Sequence, residues 1–147
     1  MLKRFPGDKR RLAQAREIMR FAEDQFVCWE RPCRSDGTGI RKSWLGYGTW
    51  MTPCVLEQYD CYVPIDASAA KLIRTWLALY AAEKNPLDLA KARALGDAMT
   101  NVQELNGRIR TFWTPDPQPA GGDWLNCMAA SAGALGELAA VTAVPGK

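Results

Sequence analysis

The chain has 147 residues, 48% of them hydrophobic and 24% charged, which suffices for one folded domain burying roughly 70% of its unfolded surface and excludes a disordered or low-complexity protein. Nineteen Lys and Arg against sixteen Asp and Glu leave a net charge of +3, concentrated nowhere but at Lys9-Arg10-Arg11 beside Lys3 and Arg4, so a nucleic-acid partner is not expected. Histidine is absent, which removes Ser-His-Asp and Cys-His hydrolysis, histidine-bearing zinc sites and imidazole acid–base chemistry together.

The first helix is read from Leu12, Ala15, Met19, Ala22 and Phe26, which recur at steps of three and four behind a capping Asp8 and run to about Trp29. The second opens at Pro64-Ile65-Asp66, with Asp66 placed to accept from first-turn amides, and carries Ala69, Leu72, Ile73, Trp76 and Leu79 on one face as far as Lys84. The third starts at Asn85-Pro86, a cap followed by proline at the first helical position, and is expected to reach Asn106-Gly107. The fourth starts at Gly122-Asp123 and is apolar nearly all round from Trp124 to Val144. Its Ala and Gly content, its central Glu137 and the lack of a flanking basic cluster argue for a surrounded inner helix rather than a membrane span. No segment reads as a strand.

The connection between helices two and three is a few residues, which makes them antiparallel neighbours. The links at 30–64 and 107–122 are long, and an up-down arrangement brings both to one end. A weak echo relates Arg16 through Gln25 and Trp29 to Arg93 through Gln103 and Trp113, pointing to paired helices as the unit.

The long links carry the chemistry. Trp44, Trp50, Tyr59, Tyr62, Trp113, Trp124 and Asn126 offer rings and an amide for a sugar, because sugar rings stack through their C–H edges on aromatic faces. Glu57, Asp60 and Asp123 offer carboxyls for the acid and base of glycosidic bond cleavage. Asp66 and Asp123 also stand where helix caps belong, whereas Glu57 and Asp60 have no capping role. The cysteines Cys28, Cys33, Cys54, Cys61 and Cys127 form an odd set whose spacings suit neither a zinc ribbon nor a redox pair. They are expected as buried free thiols, with no metal and no cofactor. Met1 to Arg11 holds no apolar signal core, which favours a cytoplasmic location.

The runs Phe21–Glu30, Trp50–Tyr59, Tyr62–Asp66 and Gly122–Cys127 together resemble the C-terminal part of six-hairpin glycosidase-like proteins of gut bacteria. The resemblance covers most of the chain, from about Arg10 to Thr142. It implies an all-α fold whose helical hairpins form part of an (α/α)6 toroid, with helices one and three outer, helices two and four inner, and the site where outer helices lead into inner ones. Four helices cannot close six hairpins, so it also implies a single partial domain over 1–147, cut from a longer protein. The expected function is that of a glycoside hydrolase-like, carbohydrate-active protein with carbohydrate as partner. The alternative is a helical-repeat interaction module without catalytic activity. Inner helices left uncovered would further favour self-association, with Ala129, Leu135 and Leu138 against an exposed apolar patch.

Overall fold

The computed structural model describes residues 7–30, 52–57, 64–113, 119–120, 122 and 124–143. Its helices are α1 (Lys9–Phe26), α2 (Asp66–Glu83), α3 (Pro86–Asn101) and α4 (Leu125–Thr142). Their starts and stops follow local chemistry. Asp8 Oδ1 accepts from the amides of Arg10 and Arg11 at 3.1 and 3.2 Å and so satisfies two of the four free donors that open α1. Asn85 does the same for Leu87 at 3.1 Å, ahead of Pro86 at the first helical position of α3. Helix α2 ends in the left-handed conformation at Lys84, φ 57°, whose amide donates to Tyr80 C=O.

Two expected boundaries move. Helix α3 stops at Asn101 rather than Asn106-Gly107: the Thr100 hydroxyl bonds back to Asp97 C=O, and the chain leaves at β-branched Val102. Gly107, φ 86°, serves instead a separate turn in which its amide donates to Glu104 C=O at 2.8 Å. Helix α4 starts at Leu125 behind Trp124, later than the expected Gly122-Asp123.

The expectation of no strands is also corrected. Leaving α1, β1 (Val27–Cys28) pairs antiparallel with β2 (Cys54–Val55), in the register Val27↔Val55 and Cys28↔Cys54. Leaving α3, β3 (Phe112–Trp113) pairs antiparallel with β4 (Pro119–Ala120), as Phe112↔Ala120 and Trp113↔Pro119. Two residues are too few for a period-two pattern to register in sequence. Among the described residues the order helix, strand, strand, helix therefore occurs twice; of the echoed pair, Trp29 follows β1 directly and Trp113 is the last residue of β3.

Helix α2 is the centre of the packing. It lies antiparallel to α3, as the Lys84-Asn85 connection demands, and parallel to α4, which it meets at Asp66–Ser131 and again at Arg74–Glu137. Ala69, Ile73, Trp76, Leu77 and Leu79 of α2 pack with Ala92, Leu95 and Met99 of α3 and with Ala134 and Leu138 of α4. Among the described residues Trp76 is the largest enclosed side chain, and truncating it to Ala would cost about 3–5 kcal/mol.

Helix α4, expected to be wholly surrounded, buries one stripe only: Cys127, Ser131, Ala134 and Leu138. Among the described residues its opposite side, Leu125, Ala129, Ala132, Gly136, Ala139 and Ala143, is open. No described helix is long and apolar enough to cross a membrane.

Helix α1 stands at the edge and buries Met19 alone. Polar ties hold it. Arg16 forks between Glu83 and Asp88, and Glu23 pairs with Lys91 at 2.6 Å; beyond the helix, just after β1, the Trp29 ring lies 5.5 Å from that of Trp76.

Candidate functional site

Both helix-to-helix excursions return to one end of the molecule, where α2 and α4 begin. At that end Leu56 N–H donates to Phe26 C=O at 2.9 Å and Ile65 N–H to Val55 C=O at 3.0 Å, so the start of α2 is woven into the β1/β2 ladder. The Asp66 amide then donates to Thr111 C=O at 3.2 Å, the Thr111 amide to Gly122 C=O at 3.4 Å, and the Trp124 amide to Thr111 Oγ1 at 3.3 Å. Thr111, fully enclosed, thus joins the first excursion to the second. The expected meeting of the two long links holds for their described flanks.

Beneath this junction lies a buried polar cluster. Asp66 is fully enclosed; its carboxylate accepts from Ser131 Oγ at 2.7 Å and from the Ala67 amide at 2.7 Å. It stands at the first helical position, with Ile65 rather than Asp66 as the N-cap. Desolvation by burial raises its pKa, against the lowering effect of the Ser131 hydroxyl and the first-turn amides. Cys127 joins the cluster from α4. Burial and the negative charge of Asp66 raise its pKa as well, while a hydrogen bond with Thr111 opposes them. A thiol so placed stays protonated at neutral pH and is no thiolate nucleophile. Asp66 has no exposed surface with which to touch a substrate, so its part is to join α2 to α4 under the site. Sequence reading gave Asp66 only a capping part, because nothing local reveals that Ser131, 65 positions on, faces it.

Above the cluster the surface carries several residues singled out from sequence. Glu57 is half-buried and lines a cavity of about 170 Å³ with Phe26, Ser68, Lys71 and Leu72. It is close enough to Cys127 for its charge to contribute to the raised pKa of that thiol. Trp124 is 51% exposed, with its indole Nε1 against Gly122, where an added Cβ would stand 3.2 Å away. Asn126 is exposed on the first turn of α4. Trp113 lies in β3, on the second excursion. Glu57, Trp124 and Asn126 therefore share this end. Trp44, Trp50, Tyr59, Asp60, Tyr62 and Asp123 lie outside the described residues. Among the described residues no group of three potential ligands could hold a metal ion.

A second concavity, of about 1420 Å³, runs between α1 and α2 and reaches Glu137 of α4. Its floor is Ala15, Met19, Ala22, Leu72 and Ala78, with Arg10, Glu17 and Arg74 at the rim. Sequence periodicity missed it because Ala15, Met19, Ala22 and Leu72 sit on faces that read as core, and only the packing shows that α1 stands off from α2.

Comparison with protein-family models, with curated proteins and with solved structures finds no match.

Proposed function

We propose that this protein is carbohydrate-active, part of an (α/α)6 toroid that acts on glycosidic bonds at the end where α2 and α4 begin. The observation that carries the reading is the joining of the two long excursions through Thr111, which gathers Glu57, Trp124 and Asn126 at one end of a twice-repeated hairpin. Glu57 is the acid–base candidate, with Asp60 or Asp123 as its partner carboxylate. Trp44, Trp50, Tyr59, Tyr62, Trp113 and Trp124 supply stacking faces, and Asn126 supplies hydrogen bonds to hydroxyls. On this reading the open side of α4 is covered in the working form, by further hairpins or by a second copy.

The test is a pair of variants in the longest natural form of the protein. Glu57→Gln should lower kcat by about 10²–10⁴-fold with sugar binding retained, since the amide keeps shape and hydrogen bonding but exchanges no proton at neutral pH. Trp50→Ala should weaken binding and spare turnover at saturating substrate. A glycan array left blank by the wild-type protein would instead favour a helical interaction module. The concavity between α1 and α2 is the observation on the side of that second reading.

A further inference from the structure

We infer that Cys28 and Cys54 form a thiol–disulfide modification site: the β1/β2 ladder holds them opposite each other, placed to close a reversible cross-strand disulfide by exchange with a low-molecular-weight disulfide. The register pairs their Cα atoms directly. Because Leu56 N–H donates to Phe26 C=O, residues 26 and 56 form a hydrogen-bonded pair. In an antiparallel ladder such pairs alternate, so 28 and 54 belong to the same class, whose Cα atoms stand about 5.5 Å apart. That is within the range of about 4.4–6.8 Å that disulfides take. Residues directly opposite in a ladder project to the same face, and here the Cys28 side chain is near enough to Cys54 to shift its pKa, with no disulfide between them. Cys127, the other described cysteine, belongs to the separate Thr111–Asp66 cluster.

The exchange balances in two steps. The thiolate of Cys28, a residue 8% exposed against none for Cys54, attacks one sulfur of oxidised glutathione and releases one glutathione thiolate. The Cys54 sulfur, losing its proton to solvent, then attacks the mixed disulfide at the Cys28 sulfur and expels glutathione again. Two protein thiols are oxidised, one small disulfide is reduced to two thiols, and the released thiolates take up the protons. The interaction with Cys28 and, after it, burial raise the pKa of Cys54 well above its ordinary value. Exchange should accordingly be slow at neutral pH and faster as pH rises. The bond would staple the base of the excursion between β1 and β2. It does not depend on what that excursion binds.

The experiment is peptide mapping of the native full chain after equilibration with oxidised glutathione and alkylation of remaining thiols. Cleavage with trypsin and a Glu-specific protease, at Glu30 and Glu57 among other sites, separates Cys28 from Cys33 and Cys54 from Cys61. The expected result is a linked Cys28–Cys54 peptide lighter by two hydrogens than its separate parts, with Cys127 alkylated. Cys54→Ser should halt at a single glutathione adduct on Cys28. Alkylated Cys28 and Cys54 at equilibrium, or linkage of either to another cysteine, would overturn the inference. The mapping of the unmutated chain decides alone should the variant fail to fold.

Discussion

Asp66 carries a carboxyl group into the enclosed interior, and its raised pKa makes that a statement about stability. Between the ordinary carboxylate pKa of the unfolded chain and the higher native one, the folded protein keeps a proton that the unfolded chain has lost. Stability therefore falls as pH rises through that window and stays lower above it; below the unfolded pKa the penalty disappears. Asp66→Asn can still accept from the Ala67 amide, reverses the bond with Ser131 so that Nδ2 donates to Oγ, and removes the titration. The variant should gain on the wild type between about pH 3.5 and pH 7, by about 1.4 kcal/mol for each pH unit separating the native and unfolded pKa values. Urea midpoints across that range give the answer, and a difference independent of pH would refute it. Arg16 is the opposite case, a cation whose pKa is raised by its hydrogen bonds with Asp88 and Glu83. Arg16→Met would leave Asp88, 3% exposed, without its cation. Because Arg16 itself is partly in solvent, a loss of about 2–3 kcal/mol is expected in chemical denaturation, below the 3–5 typical of fully buried pairs.

At the scale of elements, two glycines separate close packing from open surface. A Cβ on Gly96 of α3 would run into the end of the buried Leu138 side chain of α4, which would have to turn aside within the packed interface. Gly136 of α4 has nothing within 4 Å of where its Cβ would stand. Gly96→Ala should therefore destabilise by about 1–3 kcal/mol through overpacking, while Gly136→Ala should stabilise by about 0.5–1 kcal/mol through helix propensity. Thermal melts of the pair with opposite signs would bear this out, and equal signs would not. The helix starts were legible in sequence wherever a short polar side chain acts on its own first turn, as at Asp8 and Asn85. The end of α3 was not, because Asn106-Gly107 imitates a helix stop while belonging to a later turn. The two ladders were not legible either, since their pairing is fixed by partners 26 residues away in one case, Cys28↔Cys54.

For the whole molecule, the sequence contained the hairpin plan but not the degree of enclosure. An all-round apolar helix has the same composition whether neighbours cover it or not, so α4 could be mistaken for a surrounded one. The structure puts Leu125 at 77% exposure and leaves Ala129 open as well; Leu135 is half-buried, and Leu138 faces inward. The candidate site was half legible by the same logic. Loop lengths put Glu57 and Trp124 at one end, but the Asp66–Ser131 contact beneath them depends on the parallel placement of α2 and α4. An open apolar stripe on α4 predicts self-association of this chain. Sedimentation should show mass rising with concentration, and Ala132→Glu should return it towards the monomer. A monomer at every concentration, with no dye bound to apolar surface, would contradict the expectation.

The Trp29–Trp76 pair, at 5.5 Å and 37° between planes, joins the residue that follows β1 to the central helix α2. Transition dipoles that close and that tilted couple strongly, and the coupling falls with the cube of their separation, so the pair should give an exciton couplet in circular dichroism. Lys91, its ammonium 5.9 and 5.8 Å from the two ring centres, adds a local field that shifts the indole bands. Since α1 buries so little, it should leave the bundle before the rest unfolds. Because β1 continues α1 without a break, the two should come away together, and the couplet gauges that joint event: in a urea titration it should vanish at a lower concentration than the helical signal. Coincident loss of the two would mean that α1 and the bundle unfold as one.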